Sequence, residues 1–133
     1  MNRAEFERMA EETYGERADH PFEKYPSVAV FRHSGNRKWF AAVMTVPRAR
    51  LGIKGEGDLD IVNVKCAPEI IDSFRHEAGI YPAYHMSKAH WLTVALDGSA
   101  DDESVRFLLG VSHELTRAKI RGRRGTKNEG EAL

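Results

Sequence analysis

Apolar residues recur along this chain in two rhythms, and the switches between them lay out its elements. Phe6, Met9, Ala10, Thr13 and Tyr14 follow the 3,4,7,8 spacing of one helical stripe and predict a helix over residues 3–14. Asn2 is placed to cap it, Glu5 stands three residues on as in a capping box, and Gly15 supplies the stop. After an irregular polar stretch, residues 27–33 and 38–46 are rich in β-branched and aromatic side chains and predict two strands. The Gly35-Asn36 pair between them is a two-residue hairpin signal. Pro47 ends the second strand, and a basic, then glycine-rich loop over 48–58 leaves room for a short strand at 50–53.

Alternation returns over 59–66, with Val62, Val64 and Cys66 on one face and Ile61, Asn63 and Lys65 on the other. Ala67-Pro68-Glu69 opens a second helix, whose stripe is Ile70, Ile71, Phe74 and Ala78 and which Gly79 ends. A strand over 90–96 follows, closed by Asp97-Gly98. The last helix, 102–120, is capped by Ser99 or Asp101 and carries the stripe Val105, Leu108, Leu109, Ser112 and Leu115. Hairpin connections imply antiparallel pairing, and three amphipathic helices need a shared apolar surface. The expected fold is therefore α+β, a two-layer sandwich with an antiparallel sheet and helices packed on one face.

At 133 residues, 41% hydrophobic and 30% charged, the chain fits one domain over residues 1–120 with a flexible basic tail at 121–133. No apolar run is long enough to span a bilayer, so no membrane partner is expected. A single cysteine, Cys66, excludes an internal disulfide framework and suits a reducing, cytoplasmic setting. Its strand face predicts burial as a small apolar residue.

The net charge of zero conceals segregation. Residues 24–54 hold seven bases and no acid, whereas residues 55–116 hold eleven acids against four bases. Arg117, Lys119, Arg121, Arg123, Arg124 and Lys127 gather in the last seventeen residues. Local field steers a polyanion more than total charge does, so these blocks admit nucleic acid as a partner if folding gathers them. If folding interleaves them with the acidic blocks, they are a solvated surface.

The densest run of polar-tipped rings is Tyr81-Pro82-Ala83-Tyr84-His85-Met86-Ser87-Lys88-Ala89-His90-Trp91. Trp91 reads as a core anchor. Tyr84, His85, Lys88 and His90 read either as lining for a pocket or as side chains that fix a loop. The stretch 82–91, with Leu92-Thr93-Val94 after it, resembles the most recognisable motif of the MmcQ/YjbR-like family. Tyr25-Pro26, Val30-Phe31-Arg32-His33, Trp39-Phe40-Ala41 and Asn63 to Glu69 extend the likeness across residues 2–116. The resemblance implies a CyaY-like, double-wing α+β fold and a DNA-binding role. Members often carry Ser-Tyr in the middle of the last helix, where this chain has Ser112-His113.

Two binding surfaces follow as expectations. In the first, a basic hairpin serves as a wing on DNA, with Arg32, Arg37, Lys38, Arg48, Arg50 and Lys54 contacting phosphates. In the second, Tyr84, His85, Lys88 and His90 meet a small ligand or a protein. Gly52-Ile53-Lys54-Gly55 matches the G-x-x-G loop of KH domains but lacks a flanking helix on each side. Ser112-His113-Glu114 has the residue types of a hydrolytic triad, yet consecutive helical side chains diverge and cannot relay a proton. Without nucleophile, base and orienting group, a non-catalytic protein is expected, with Lys88 and His90 the retained acid–base pair. No metal-ligand spacing, Walker A or dinucleotide fingerprint occurs, so neither metal nor cofactor is expected.

Overall fold

The computed structural model describes residues 1–118, in the order α1 (Arg3–Tyr14), β1 (Ala29–Arg32), β2 (Trp39–Pro47), a 3-10 turn (Arg48–Leu51), β3 (Asp58–Lys65), α2 (Pro68–Phe74), β4 (Ile80–Pro82), β5 (Trp91–Ala95) and α3 (Asp102–Thr116). The five strands form one antiparallel sheet in the order β1-β2-β3-β5-β4. The class is α+β, as the alternation of rhythms predicts. The proposed tail, residues 121–133, lies outside the described residues.

Helix α1 starts where its cap residues say it must. The Asn2 side chain accepts from Glu5 N, the Glu5 carboxylate accepts from Asn2 N, and Gly15 takes the left-handed conformation at the other end. Phe6 and Ala10 bury against Ala29, Phe31, Phe40, Val43, Val62, Val64, Leu92 and Val94, the sheet face that also receives α3. Helix α3 contributes Val105, Leu108, Leu109, Ser112 and Thr116. Thr116 replaces the expected Leu115, which is 45% exposed, because Thr116 Oγ1 bonds Ser112 O and the buried His33 ring.

Several expected boundaries move. The β1–β2 connection is a longer loop, with Arg37 in the left-handed region (φ 65°) and Arg37 N donating to His33 O. Asn36 causes this: its side chain donates to Thr116 O at the end of α3 and accepts from Lys38 N, so the loop is shaped by the helix beside it. The expected strand at 50–53 is the 3-10 turn. Helix α2 stops at Phe74 and leaves Ala78 exposed. Gly79 (φ 79°) passes so close to the chain after β5 that a Cβ would lie 2.5 Å from Ala100 N. Trp91 is only half-buried, standing opposite Lys65 at the end of the β3–β5 ladder. Cys66 is buried as expected, and burial pushes its thiol up to about 11.

One side chain ties the two layers together. The β1–β2 register shifts between Phe31 and Arg32, so that both Phe40 and Ala41 enter the helix-side core. Continued regularly, the β2–β3 ladder would set Phe40 opposite Lys65. Instead the Ser112 hydroxyl sits between them, accepting from Lys65 N at 2.8 Å and donating to Phe40 O at 2.6 Å. Removing it orphans two backbone groups, at a cost of about 1–3 kcal/mol. Ser112→Ala is expected to lower the unfolding free energy by that amount, read as a lower urea midpoint at an unchanged m-value, and a loss below about 0.5 kcal/mol would show that water replaces the hydroxyl.

Candidate ligand cleft

The sheet face away from the helices carries two polar side chains at its centre. Asn63 of β3 and Thr93 of β5 are direct cross-strand partners, and both are 0% exposed. A buried amide or hydroxyl without a partner costs about 1–3 kcal/mol, so something polar must cover them. The chain after β4 does so. Tyr84 N donates to Thr93 Oγ1 (2.8 Å), Thr93 Oγ1 donates to Asn63 Oδ1 (2.5 Å), and Asn63 Nδ2 donates to Tyr84 O (3.0 Å). These three bonds draw residues 83–90 across the sheet. Tyr81 and Tyr84 then pack on a second core of Val46, Leu59, Ile61 and Ala95, joined by Leu51 and Ile53.

Between this loop and the 3-10 turn after β2 lies a cleft of about 540 Å³, lined by Arg50, Leu51, Tyr81, Tyr84, His85 and Lys88 among others. His85 is held in the left-handed region (φ 58°), a strained conformation for a side chain with a Cβ, and its ring meets Tyr84 edge-on at 4.1 Å. Lys88 Nζ donates one bond to Ala83 O at 3.0 Å and keeps two protons for another acceptor. Among the described residues, neither Arg50 nor Lys88 has a carboxylate within 4.0 Å. The walls thus offer two uncompensated cations, an imidazole and two aromatic faces.

The structure regroups the expected site residues. Tyr84, His85 and Lys88 share the cleft, and Arg50 joins them from the basic set. His90 does not line it: its N–H donates to Ser87 O, and its carbonyl accepts from Cys66 N. Lys88 and His90 form no hydrogen bond with each other among the described residues. The six cations of the basic hairpin do not form one patch. Arg37 and Lys38 are exposed at one end of β2, and Arg48, Arg50 and Lys54 lie past the other, separated by about 30 Å of strand. Arg32 is engaged internally, bonded to Asp19 at 3.2 Å and lying 5.9 Å over the Trp39 ring. Arg48 is half-buried, and its charge reaches Asp97. Lys119 to Lys127 lie outside the described residues.

A second cluster forms where α1, β1 and α3 meet. His33, 8% exposed, bonds Thr116 Oγ1 at 2.8 Å. The His113 ring stacks on Tyr14 at 4.1 Å and lies 4.4 Å from His33. Burial and then the adjacent His33 hold His113 below its ordinary range, with Arg117 acting in the same direction and Glu114 and Glu16 opposing. No group of three metal-ligating side chains occurs among the described residues, and no helix there is long and apolar enough to cross a membrane.

With this geometry established, similarity to known proteins is extensive. The YjbR family model matches residues 11–115. The uncharacterised protein YyaQ of Bacillus subtilis is 38% identical over 117 residues, covering 88% of this chain and 99% of that protein. The uncharacterised protein YjbR of Escherichia coli is 37% identical over 54 residues, covering 40% of this chain and 46% of its own. A crystal structure of a Pseudomonas syringae protein superposes with a TM-score of 0.85 at 45% identity, over 88% of this chain and 100% of that one.

Two outcomes follow from these clusters. Thr93→Val keeps the shape but removes both bonds of the hydroxyl, so the Tyr84 amide is expected to lose hydrogen-exchange protection while β3 and β1 keep theirs. Protection unchanged at Tyr84 would mean that packing alone holds the loop. His113 titrates lower in the folded than in the unfolded chain, so the unfolded state binds more protons just below pH 6.5. Stability is then fully expressed above that pH and declines as pH falls through it. Urea midpoints at about pH 7.5 and about pH 5.5 should separate more for the native protein than for His113→Tyr; equal separations would dismiss the effect.

Proposed function

This chain belongs to the YjbR family, and from that premise we propose that it is a non-catalytic binding protein that takes a small organic anion in the cleft between the 3-10 turn and the 83–90 loop. The carrying observation is the convergence of Arg50 and Lys88, with no carboxylate neighbour among the described residues, beside His85 and two tyrosines. A guanidinium and an ammonium on opposite walls match a phosphate or carboxylate, and Tyr81 and Tyr84 offer faces for a flat group. Catalysis receives no comparable support. Cys66 is buried with a raised pKa, and Lys88 is turned towards a backbone carbonyl rather than towards a second titrating group.

Nucleic acid is the second reading, favoured by the DNA-binding role that the family resemblance implies. Arg48, Arg50 and Lys54 stand within seven residues, Arg50 lining the cleft, and among the described residues none of them is in an ion pair. The distance between these cations and Arg37 and Lys38 weighs against a hairpin tracking phosphates along its whole length.

Titration of phenyl phosphate followed by amide shifts tests the first reading. Binding should shift residues 81–88 and 50–51. Arg50→Ala and Lys88→Ala should each weaken it about tenfold, the lower end of a charge-assisted hydrogen bond, with little change in apo stability. Absence of binding, or unchanged affinity in both variants, rejects the cleft. For duplex DNA, three phosphate contacts from Arg48, Arg50 and Lys54 would give a log–log salt slope of about −3, and a slope that steep would promote the second reading.

A further inference from the structure

A second concavity of about 340 Å³ lies beside the cleft, on the helix side of β4. Ile71 of α2, Ile80 of β4 and Leu92 of β5 form its apolar lining, and Arg75 stands at its rim. Its origin is visible in the packing. Helix α2 is two turns long and has no fully buried residue, so Ile70, Ile71 and Phe74 only partly cover the edge of the core. Strand β4 is three residues long and ends at Pro82, which has no N–H to offer a further strand. An apolar gap at an open sheet edge is therefore left without a side chain to fill it.

Tyr81, Pro82 and Lys88 line this concavity and the cationic cleft alike. Alternation sends Tyr81 to the cleft side, where it packs with Tyr84, and Ile80 to the helix side. Lys88 stands at the boundary of the two, its ammonium anchored to Ala83 O. We infer that the two concavities are one bipartite site and that its ligand is an amphipathic anion: a phosphate or carboxylate held by Arg50 and Lys88, carrying an alkyl or similarly apolar group that fills the space between α2 and β4. The inference rests on the cleft reading and extends it. Charge complementarity at one end and, at the other, a gap walled by the half-buried Ile71 with the buried Ile80 and Leu92 at its base define the chemical class.

An alkyl phosphate series from methyl to hexyl, used below micellar concentrations, tests both layers separately. Affinity should rise about three- to fourfold per added methylene until the gap is full. The methyl signals of Ile71, Ile80 and Leu92 should shift with hexyl phosphate and stay still with methyl phosphate. Ile71→Ser should flatten the length dependence while leaving methyl phosphate binding unchanged; if that variant is poorly folded, the wild-type methyl shifts decide alone. Methyl phosphate binding without length dependence overturns the bipartite site and leaves the cleft standing. Hexanol binding as tightly as hexyl phosphate overturns the amphipathic ligand, and failure of every phosphate to bind overturns both readings.

Discussion

Three hydrogen bonds around Thr93 organise the side of this protein that carries the cleft. An asparagine and a threonine in the middle of a sheet are an energetic liability unless every polar atom is matched. Here the matching atoms come from one residue, Tyr84, through its N–H and its carbonyl. The requirement to satisfy Asn63 and Thr93 therefore dictates where the loop after β4 lies. That placement sets the aromatic wall of the cleft, the strained backbone of His85 and the position of Lys88 over Ala83. An apolar pair at 63 and 93 would fit the sheet as well, but nothing in it would specify the path of the loop.

On the opposite face a hydroxyl has a comparable role with a different result. Ser112 enters between β2 and β3 where the ladder gives out, and so couples α3 to both strands. Together with Asn36 and Thr116, it fixes the end of α3 against the β1–β2 loop. The helix layer is thus bonded to the sheet at this end, and Arg3 of α1 bonds it again at the other, reaching Thr45 of β2 and Asp60 of β3. Near the cleft, α2 is short and packs only through partly buried residues, which leaves the sheet edge at β4 loosely covered.

The legibility of the sequence divides along physical lines. Caps, stripes and strand alternation are local, so α1 with its Asn2–Glu5 box, the Val62-Val64-Cys66 face and the start of α2 at Pro68 can be read from spacing. Features set by distant partners cannot. The turn after β1 departs from its Gly-Asn signal because Asn36 bonds a helix eighty residues away. Leu115 and Thr116 exchange places because a buried histidine needs a hydroxyl. The cations of the basic block look like one cluster in order, yet an extended β2 carries them to opposite ends. The 81–91 run announces a site by its composition, while the entry of Arg50 and the withdrawal of His90 depend on a loop path that only the Asn63–Thr93 pair explains. A lone asparagine within Ile61-Val62-Asn63-Val64 was the available signal.

Fastening the loop also bears on how such a site would bind. A ligand that orders a mobile segment loses affinity to the conformational entropy of that segment, whereas a loop already tied by three buried bonds presents its groups without that loss. The left-handed backbone at His85 costs on the order of 1–3 kcal/mol and persists because the bonds of Tyr84 and the contact of its ring leave it no alternative. Strain of this kind, next to an ammonium and an arginine that have no carboxylate partner among the described residues, is stored in the unliganded fold. The network beneath the loop would contribute to the proposed recognition without touching a ligand, because it already holds the charged and aromatic groups in place.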